Sequence, residues 1–370
     1  MRFWYSHRRA LSPSACSPLP SVFSTAGGHL DERVSLVLNF DRGRKGIEAR
    51  AAIRRAVRLW FEGQGFLEVE TPARVFSPGQ EVHLEAIPAD GTRYLITSPE
   101  YHMKRLVAAG LPRIVQICRC WRGGERGNHH EPEFTMIEWY RAGASLDEIA
   151  RDCEALIEVA ARAVGGWPVV EVPASRGREG RPEHLAVQTP FERVTVREAL
   201  FRLVGIAPRG DESVDELRVL ATRAGCNLGT AATWDDIFFQ IFLDRVEPHL
   251  GRDRPTLVFD WPLPLAALAR RKPDDPLTVE RFELYAGGLE LANAFGELGD
   301  PVEQRARFVE EAERRRQQGR AVYPIDEKLL AALAEMPPTC GVAMGFDRLV
   351  MLVTGADNIR DVMAFADDEV

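Results

Sequence analysis

The stretch Ile117-Cys-Arg-Cys-Trp-Arg-Gly-Gly-Glu-Arg-Gly-Asn-His-His-Glu-Pro-Glu-Phe-Thr-Met-Ile-Glu-Trp-Tyr140 decides how this chain is read. It spells a strand, a polar basic loop and a second strand, the pattern of an antiparallel hairpin. Arg122 closes the first strand, Arg126, His129 and His130 occupy the loop, and Phe134 opens the second strand. Guanidinium forks match phosphate oxygens and an aromatic ring matches a base, so the hairpin offers what a nucleoside triphosphate needs. Adenylate chemistry is the first expectation.

Working outward, Ile53, Val57 and Trp60 recur at helical spacing, and Gly63 and Gly65 mark that helix's end. An extended run over 66–72 ends in proline, a short strand follows at 94–97, and Ser98-Pro99-Glu100 opens a helix. Ser145 with Glu148, Thr195 with Glu198 and Ser213 with Glu216 are capping boxes. The stretch 166–190, rich in Pro, Gly, Arg and Glu, reads as a surface excursion, and 190–250 as a small helical insertion. Strands return at 256–261 and in a hairpin over 282–295 that turns at Gly287-Gly288. A charged helix over 303–318 leads to Gly341-Val-Ala-Met-Gly-Phe-Asp-Arg348 and a last helix over 349–353. No βαβ alternation is present, so the expected fold class is α+β, an antiparallel sheet flanked by helices.

At 370 residues and 45% hydrophobic, the chain can bury a large core. The net charge of −8, with no Lys/Arg block in its body, argues against a sequence-independent grip on long nucleic acid. No apolar run reaches the length of a membrane span. The six cysteines form no CxxC pair, and Cys118 and Cys120 share a strand face, which reads as packing. Free thiols fit a reducing cytoplasm. Residues 1–45 read as an N-terminal extension, disordered or targeting-like, and 46–370 as one catalytic domain with the excursion and insertion at 166–255.

Glu283 and Glu290 lie on opposite arms of the Gly287-Gly288 hairpin and are expected to face each other roughly across the strands. Two carboxylates beside a phosphate site are enough for Mg²⁺, which keeps several waters. Gly341, Ala343 and Gly345 alternate, leaving one strand face bare for either a flat ligand or a closely packed neighbour, with the ligand expected. Arg348 then stands at a helix start, where its guanidinium can stack on a base or reach a phosphate. No GxxxxGK[ST] loop, dinucleotide fingerprint, G-x-S-x-G elbow or H-E-x-x-H pair competes.

Together these pieces resemble the class II aminoacyl-tRNA synthetases. Phe66-Leu-Glu-Val-Glu-Thr-Pro72 looks like motif 1, Arg122 through Phe134 like motif 2, and Gly341 through Arg348 like motif 3. Thr97-Ser-Pro-Glu-Tyr-His-Met-Lys-Arg105, His130-Glu-Pro-Glu-Phe-Thr-Met136 and Leu289-Glu-Leu-Ala-Asn293 are similar to the lysine-activating branch. Lysyl-tRNA synthetases carry an N-terminal oligonucleotide-binding barrel, and residues 1–45 leave no room for one. The chain therefore resembles the bacterial ligases that attach (R)-β-lysine, or lysine, to a lysine side chain of translation elongation factor P. The alternatives are a tRNA-directed lysyl ligase working with a partner and a non-catalytic synthetase-like regulator.

The resemblance implies ATP and Mg²⁺ as cofactors and elongation factor P as acceptor, with tRNA not expected and a homodimer built on motif 1. It implies Arg122, Glu283 and Arg348 as catalytic, with Arg122 on the α-phosphate and His130 on the γ-phosphate. Phe134 and Arg348 would sandwich the adenine. Gly123, Gly124, Glu125, Glu131, Leu284 and Gly345 complete the implied ATP site. Ser98, Pro99, Glu100, Tyr140, Glu290 and Asn293 would surround the lysine-like substrate, and Glu283 with Glu290 would hold the metal. Two positions depart from the family's pattern. The glutamate usual two residues after the motif 2 arginine is replaced by Gly124, so either Glu125 takes its role or base selectivity weakens. Glu131 stands where asparagine is common, and is expected to point away from ATP or pair with Arg126.

Overall fold

The computed structural model describes residues 40–177 and 180–370. The expected N-terminal extension lies, up to residue 39, outside the described residues. Helix α1 (Phe40–Gly63) starts ahead of the expected beginning at Gly46 and buries Ile53, Val57 and Phe61, four residues apart. Gly65, at φ 73°, turns the chain into β1 (Leu67–Glu68). Strands β2 (Arg74–Val75), β3 (Pro88–Asp90) and β4 (Arg93–Leu95) make a small separate sheet, and helix α2 (Glu100–Ala108) follows. The hairpin of the sequence reading is β5 (Arg113–Trp121) with β6 (Glu133–Ala142), paired antiparallel from Arg113 with Arg141 to Trp121 with Glu133. Helix α3 (Leu146–Ala163) begins at the expected Ser145–Glu148 box.

Strands β7 (Val169–Val172) and β8 (Glu183–Ala186) pair with each other. They correct the expected surface excursion at 166–190. Val170, Val172, Leu185 and Val187 are buried in the main core, and Arg176, 4% exposed, donates to the carbonyls of Gly287 and Ala356. A two-residue alternation was hidden there among prolines and glycines. The insertion contains β9 (Glu192–Thr195), α4 (Val196–Val204), α5 (Val214–Arg223) and α6 (Trp234–Arg245). Both expected capping boxes form, and Thr233 with Asp236 forms another, whose aspartate hid it from the Glu/Gln pattern. These helices bury Leu217, Ile237, Phe238 and Phe242 against Trp261 in a core of their own.

The chain continues through β10 (Thr256–Pro262), β11 (Thr278–Ala286), β12 (Leu289–Gly296), α7 (Pro301–Gln317), α8 (Glu327–Leu333), β13 (Thr339–Gly345) and α9 (Phe346–Thr354). The main sheet has the order β1-β5-β6-β13-β12-β11-β10-β9. Its inner pairings are antiparallel, as expected, whereas β1 on β5 and β9 on β10 are parallel at the two edges. Strand alternation gives the sheet two unlike faces. Ile137, Trp139, Phe282, Leu284, Val342 and Met344 pack with α1, α3 and α9 in the main core. Their alternates Glu138, Tyr140, Arg281, Glu283 and Ala343 point the other way, and that polar face carries the site.

One buried ion pair fastens the helical layer to the sheet. Asp347 on α9, 1% exposed, accepts from Arg50 of α1 at 2.5 Å and from the Thr135 amide of β6 at 2.6 Å. Arg50 also donates to Thr135 Oγ1 at 2.7 Å. Removing one partner of such a pair strands the other charge. Asp347→Ala is therefore expected to cost about 3 kcal/mol in urea unfolding; a loss well under 1 kcal/mol would show that this clamp does not matter.

Candidate active site

The site is built where the loop between β5 and β6 meets the polar face of β11, β12 and β13. The loop is closed by an Arg122 amide bond to the Pro132 carbonyl and by Gly127 paired with His130. Its outer side is tied to the C-terminal segment, with the Ile359 amide on the Asn128 carbonyl at 2.8 Å. Glu131, 2% exposed, accepts from Arg360 at 2.8 Å. Of the two expectations for Glu131, the Arg126 pair does not form, because Arg126 instead bonds Asp367. Arg360 neutralises Glu131 from the C-terminal side, a partner that the local sequence could not reveal.

A cavity of about 420 Å³ opens here. Of the residues expected at the nucleotide, Arg122, Glu125, His130, Phe134, Gly345 and Arg348 line it, as does Glu131. Of those expected at the amino acid, Ser98, Glu100, Glu290 and Asn293 line it. The Arg122 guanidinium lies 5.1 Å from the centre of the Phe134 ring. Arg348 donates to the Glu290 carbonyl at 2.7 Å and to His130 Nε2 at 2.6 Å. An arginine has no acceptor, so His130 must take that bond on an unprotonated Nε2 and carry its proton on Nδ1. Burial, and then the charge of Arg348, push the His130 imidazole down to about 4.

Several expected residues sit elsewhere. Leu284 is fully buried on the helical face of β11, and Pro99 is the buried N-cap of α2. Gly123 donates its amide to the Glu85 carbonyl, and Gly124 adopts φ 79° in the turn. A side chain at that left-handed position costs about 1–2 kcal/mol, which accounts physically for a glutamate at 125, on the cavity wall, and not at 124. Gly341 does not offer a bare face either. A Cβ there would lie 2.3 Å from the Tyr140 ring, so the neighbour takes that space while Ala343 and Gly345 face the cavity.

Glu283 and Glu290 are not directly opposed, which corrects the sequence expectation. Glu283 pairs with Asn293 and Tyr285 with Glu290, because the register shifts beside Leu284. The extra residue on β12 is a bulge. It puts Glu290 and Asn293, three apart, on one face, where an unbroken strand would send them to opposite sides. Glu283 is 6% exposed, with its oxygens accepting from Arg281 at 2.5 Å and from the Tyr285 hydroxyl. Burial raises its carboxyl to about 7, with Arg281 opposing and Glu290 adding to the rise.

Two buried carboxylates escaped sequence reading. Glu138 accepts from Ser98 Oγ and from the Tyr140 hydroxyl, both at 2.6 Å, so the Tyr140 ring supports the floor beneath Ser98. Its position two residues before Tyr140 on one strand was the available signal. Lys104, 2% exposed, bridges Glu100 and Glu297 at 2.5 Å each. Burial alone would lower its ammonium, but these two carboxylates more than offset that and raise it. Among the described residues, no group of three or more His, Cys, Asp or Glu is arranged to hold a metal ion. Cys118 and Cys120 approach each other at 3.9 Å between sulfurs.

The family model described as tRNA synthetases class II (D, K and N) matches residues 29–369. The chain belongs to the class II tRNA synthetase family. Within it, the chain is 38% identical over 330 residues to a Klebsiella pneumoniae protein named elongation factor P–(R)-β-lysine ligase, covering 86% of this chain and 94% of that one. It is 39% identical to the protein of that name from Pectobacterium atrosepticum, over 86% and 93% of the two chains. The Vibrio cholerae protein of the same name is 36% identical, over 86% and 94%. The α+β fold and the resemblance stated from the motifs agree with this membership.

Histidine protonation in the class II site follows from its geometry. His130, assigned in nuclear magnetic resonance spectra by loss of its signals in His130→Gln, is expected to stay a neutral Nδ1–H tautomer down to about pH 5, with its midpoint near 4. Arg348→Ala is expected to move that midpoint upward, since a neighbouring cation disfavours imidazolium. A midpoint at or above 6.5 in the unaltered protein contradicts the described contact.

Proposed function

We propose that the chain is an ATP-dependent ligase that activates (R)-β-lysine or lysine as an adenylate and transfers it to a lysine side chain of translation elongation factor P. The observation that carries this reading is that one cavity holds two chemically unlike sets of groups. Arg122, Arg348, His130 and the Phe134 ring are the first set. Glu100, Glu290 and Asn293 are the second, with Glu290 beside Arg348 where the sets meet and the buried carboxylates Glu138 and Glu297 behind. A triphosphate suits the first, and an amino acid with two ammonium groups suits the second. The names of the relatives at 36–39% identity supply the acceptor and the amino acid for this reading.

In the first step an amino-acid carboxylate oxygen attacks the α-phosphorus and pyrophosphate leaves. Arg122 would stabilise the charge that develops there, and the walls of the cavity would hold the reactants in line. In the second, an amine of the acceptor protein attacks the acyl carbonyl and AMP leaves. No covalent enzyme intermediate is required. The donor set also fits Mg²⁺, since Glu290 lines the cavity and Glu283 lies diagonal to it on the same face of the sheet, and the ion asks for only one or two protein carboxylates. Glu283 and Glu290 would hold the ion, which supplies charge neutralisation to the triphosphate. A homodimer through motif 1 belongs to the same reading, with Leu67 of that motif exposed, and the free thiols of the described cysteines suit the cytoplasm.

Purified protein is expected to exchange pyrophosphate into ATP only when a lysine isomer is present, and to add one lysyl mass to elongation factor P. Acylation of tRNA in place of that protein favours the tRNA-directed alternative, and no exchange with any isomer rejects the enzyme reading. Arg122→Ala is expected to slow exchange about 10²–10³-fold, the usual cost of losing one donor to a developing anion.

A further inference from the structure

A second cavity, of about 520 Å³, adjoins the first and is lined by none of the residues assigned above to ATP or the amino acid. Glu81, Ala267 and Arg281 line both, so these residues mark where the two meet. Away from that junction the second cavity runs between α6, α7 and the 263–268 loop. Its walls there include Phe239, Leu263, Leu265 and Leu268, with the exposed Ala306 of α7 also on its lining.

Unsatisfied polar groups make this more than an apolar groove. Gln304 and Gln80 are each 1% exposed, yet Gln304 Nε2 and Gln80 Oε1 have no partner. Glu81 Oε2 is also buried and unpartnered. Buried polar atoms of this kind are costly unless something completes them. The Glu81 loop is held rigidly. Arg315 of α7, fully buried, donates to the carbonyls of Glu81 and Leu84 at 2.8 Å each, and the Val82 amide bonds Glu311 at 2.9 Å. A carboxylate with a free oxygen on a pinned loop, at the inner end of a passage whose walls mix apolar side chains with acids such as Asp235, Glu303 and Glu310, matches one occupant well. A lysine side chain has an apolar stem and a cationic tip.

We propose that the second cavity admits the acceptor lysine and that the Glu81 carboxylate takes the proton from its ammonium. The inference rests on the ligase reading above and deepens its second step. An ammonium cannot attack a carbonyl until its lone pair is free. Glu81 accepts one proton, and the freed pair forms the C–N bond at the acyl carbon. The acyl C–O bond to phosphate breaks with its electron pair leaving on AMP, and the nitrogen gives its remaining extra proton to solvent. Burial first, and then the charge of Glu100, raise the Glu81 carboxyl above its ordinary range, with Arg122 opposing and Glu311 adding to the rise. That makes it a better base than a surface glutamate.

The test separates the two half-reactions on the full-length protein. ATP–pyrophosphate exchange reports adenylation. Transfer is read as the single-turnover rate from preformed adenylate to elongation factor P, by intact mass. Glu81→Gln is expected to keep exchange within about twofold and to slow transfer about 10²-fold, the usual contribution of a general base. Ala306→Trp, which narrows the passage from an exposed helix position, is expected to raise the acceptor concentration needed for transfer and leave exchange intact. Wild-type transfer in both variants overturns the proposal. So does an Glu81→Gln defect in exchange as large as that in transfer, which would assign Glu81 to the amino acid's own ammonium. Absence of exchange in the unaltered protein removes the ligase reading as well, whereas the preceding outcomes remove this step alone.

Discussion

The two-residue period of the central strands governs nearly everything else in this molecule. On β6, β11 and β13 one set of alternate residues is apolar and buried under α1, α3 and α9. The other set mixes charged, aromatic and small residues, and Phe134, Met136, Arg281, Ala343 and Gly345 among them line the cavity. Shifting any of these strands by one residue would bury Glu138 or Glu283 under the helices and expose Trp139 or Phe282 to the cavity. The register is therefore set by hydrophobic burial, and the site inherits its geometry from that choice. The Asp347–Arg50–Thr135 contacts lock the helical layer onto the same register.

Against this regular background, the irregular points are where chemistry is placed. The bulge on β12 turns Glu290 to the face already occupied by Asn293 and Glu283. The left-handed turn at Gly124 excludes a large side chain and leaves the wall position to Glu125. The acids gathered on this face are answered by cations from other elements. Lys104 stands between Glu100 and Glu297, Arg281 sits on Glu283, and Arg360 sits on Glu131. The polar floor is thus a network of paired charges, some of whose cations, such as Arg281, also line the cavity.

Local patterns were legible in the sequence because their causes are local. The β5–β6 hairpin, the boxes at Ser145, Thr195 and Ser213, and the turn at Gly287 and Gly288 all appear where their residues put them. Arg122, Phe134 and Arg348 were found because motif spacing placed them, and they do share a cavity. The strand pair at 169–186 was missed because its alternation is brief and its neighbours are turn formers. The role of Gly341 was misjudged because a bare backbone face looks the same in sequence whether a ligand or a tyrosine fills it.

What the sequence by itself determined is the main hairpins and capped helices, their order and the identity of the chemical groups at the centre of the sheet. Only the tertiary structure decided which charge answers which. Glu131 with Arg360 and Arg50 with Asp347 join residues more than two hundred positions apart, and no local rule chooses among so many equally charged candidates. It also decided that Glu81 would stand between two cavities, because that place depends on α7 reaching across to hold the loop with Arg315. Propensity and periodicity act over a few residues, whereas desolvation and pairing of buried charge are settled only when the whole core closes.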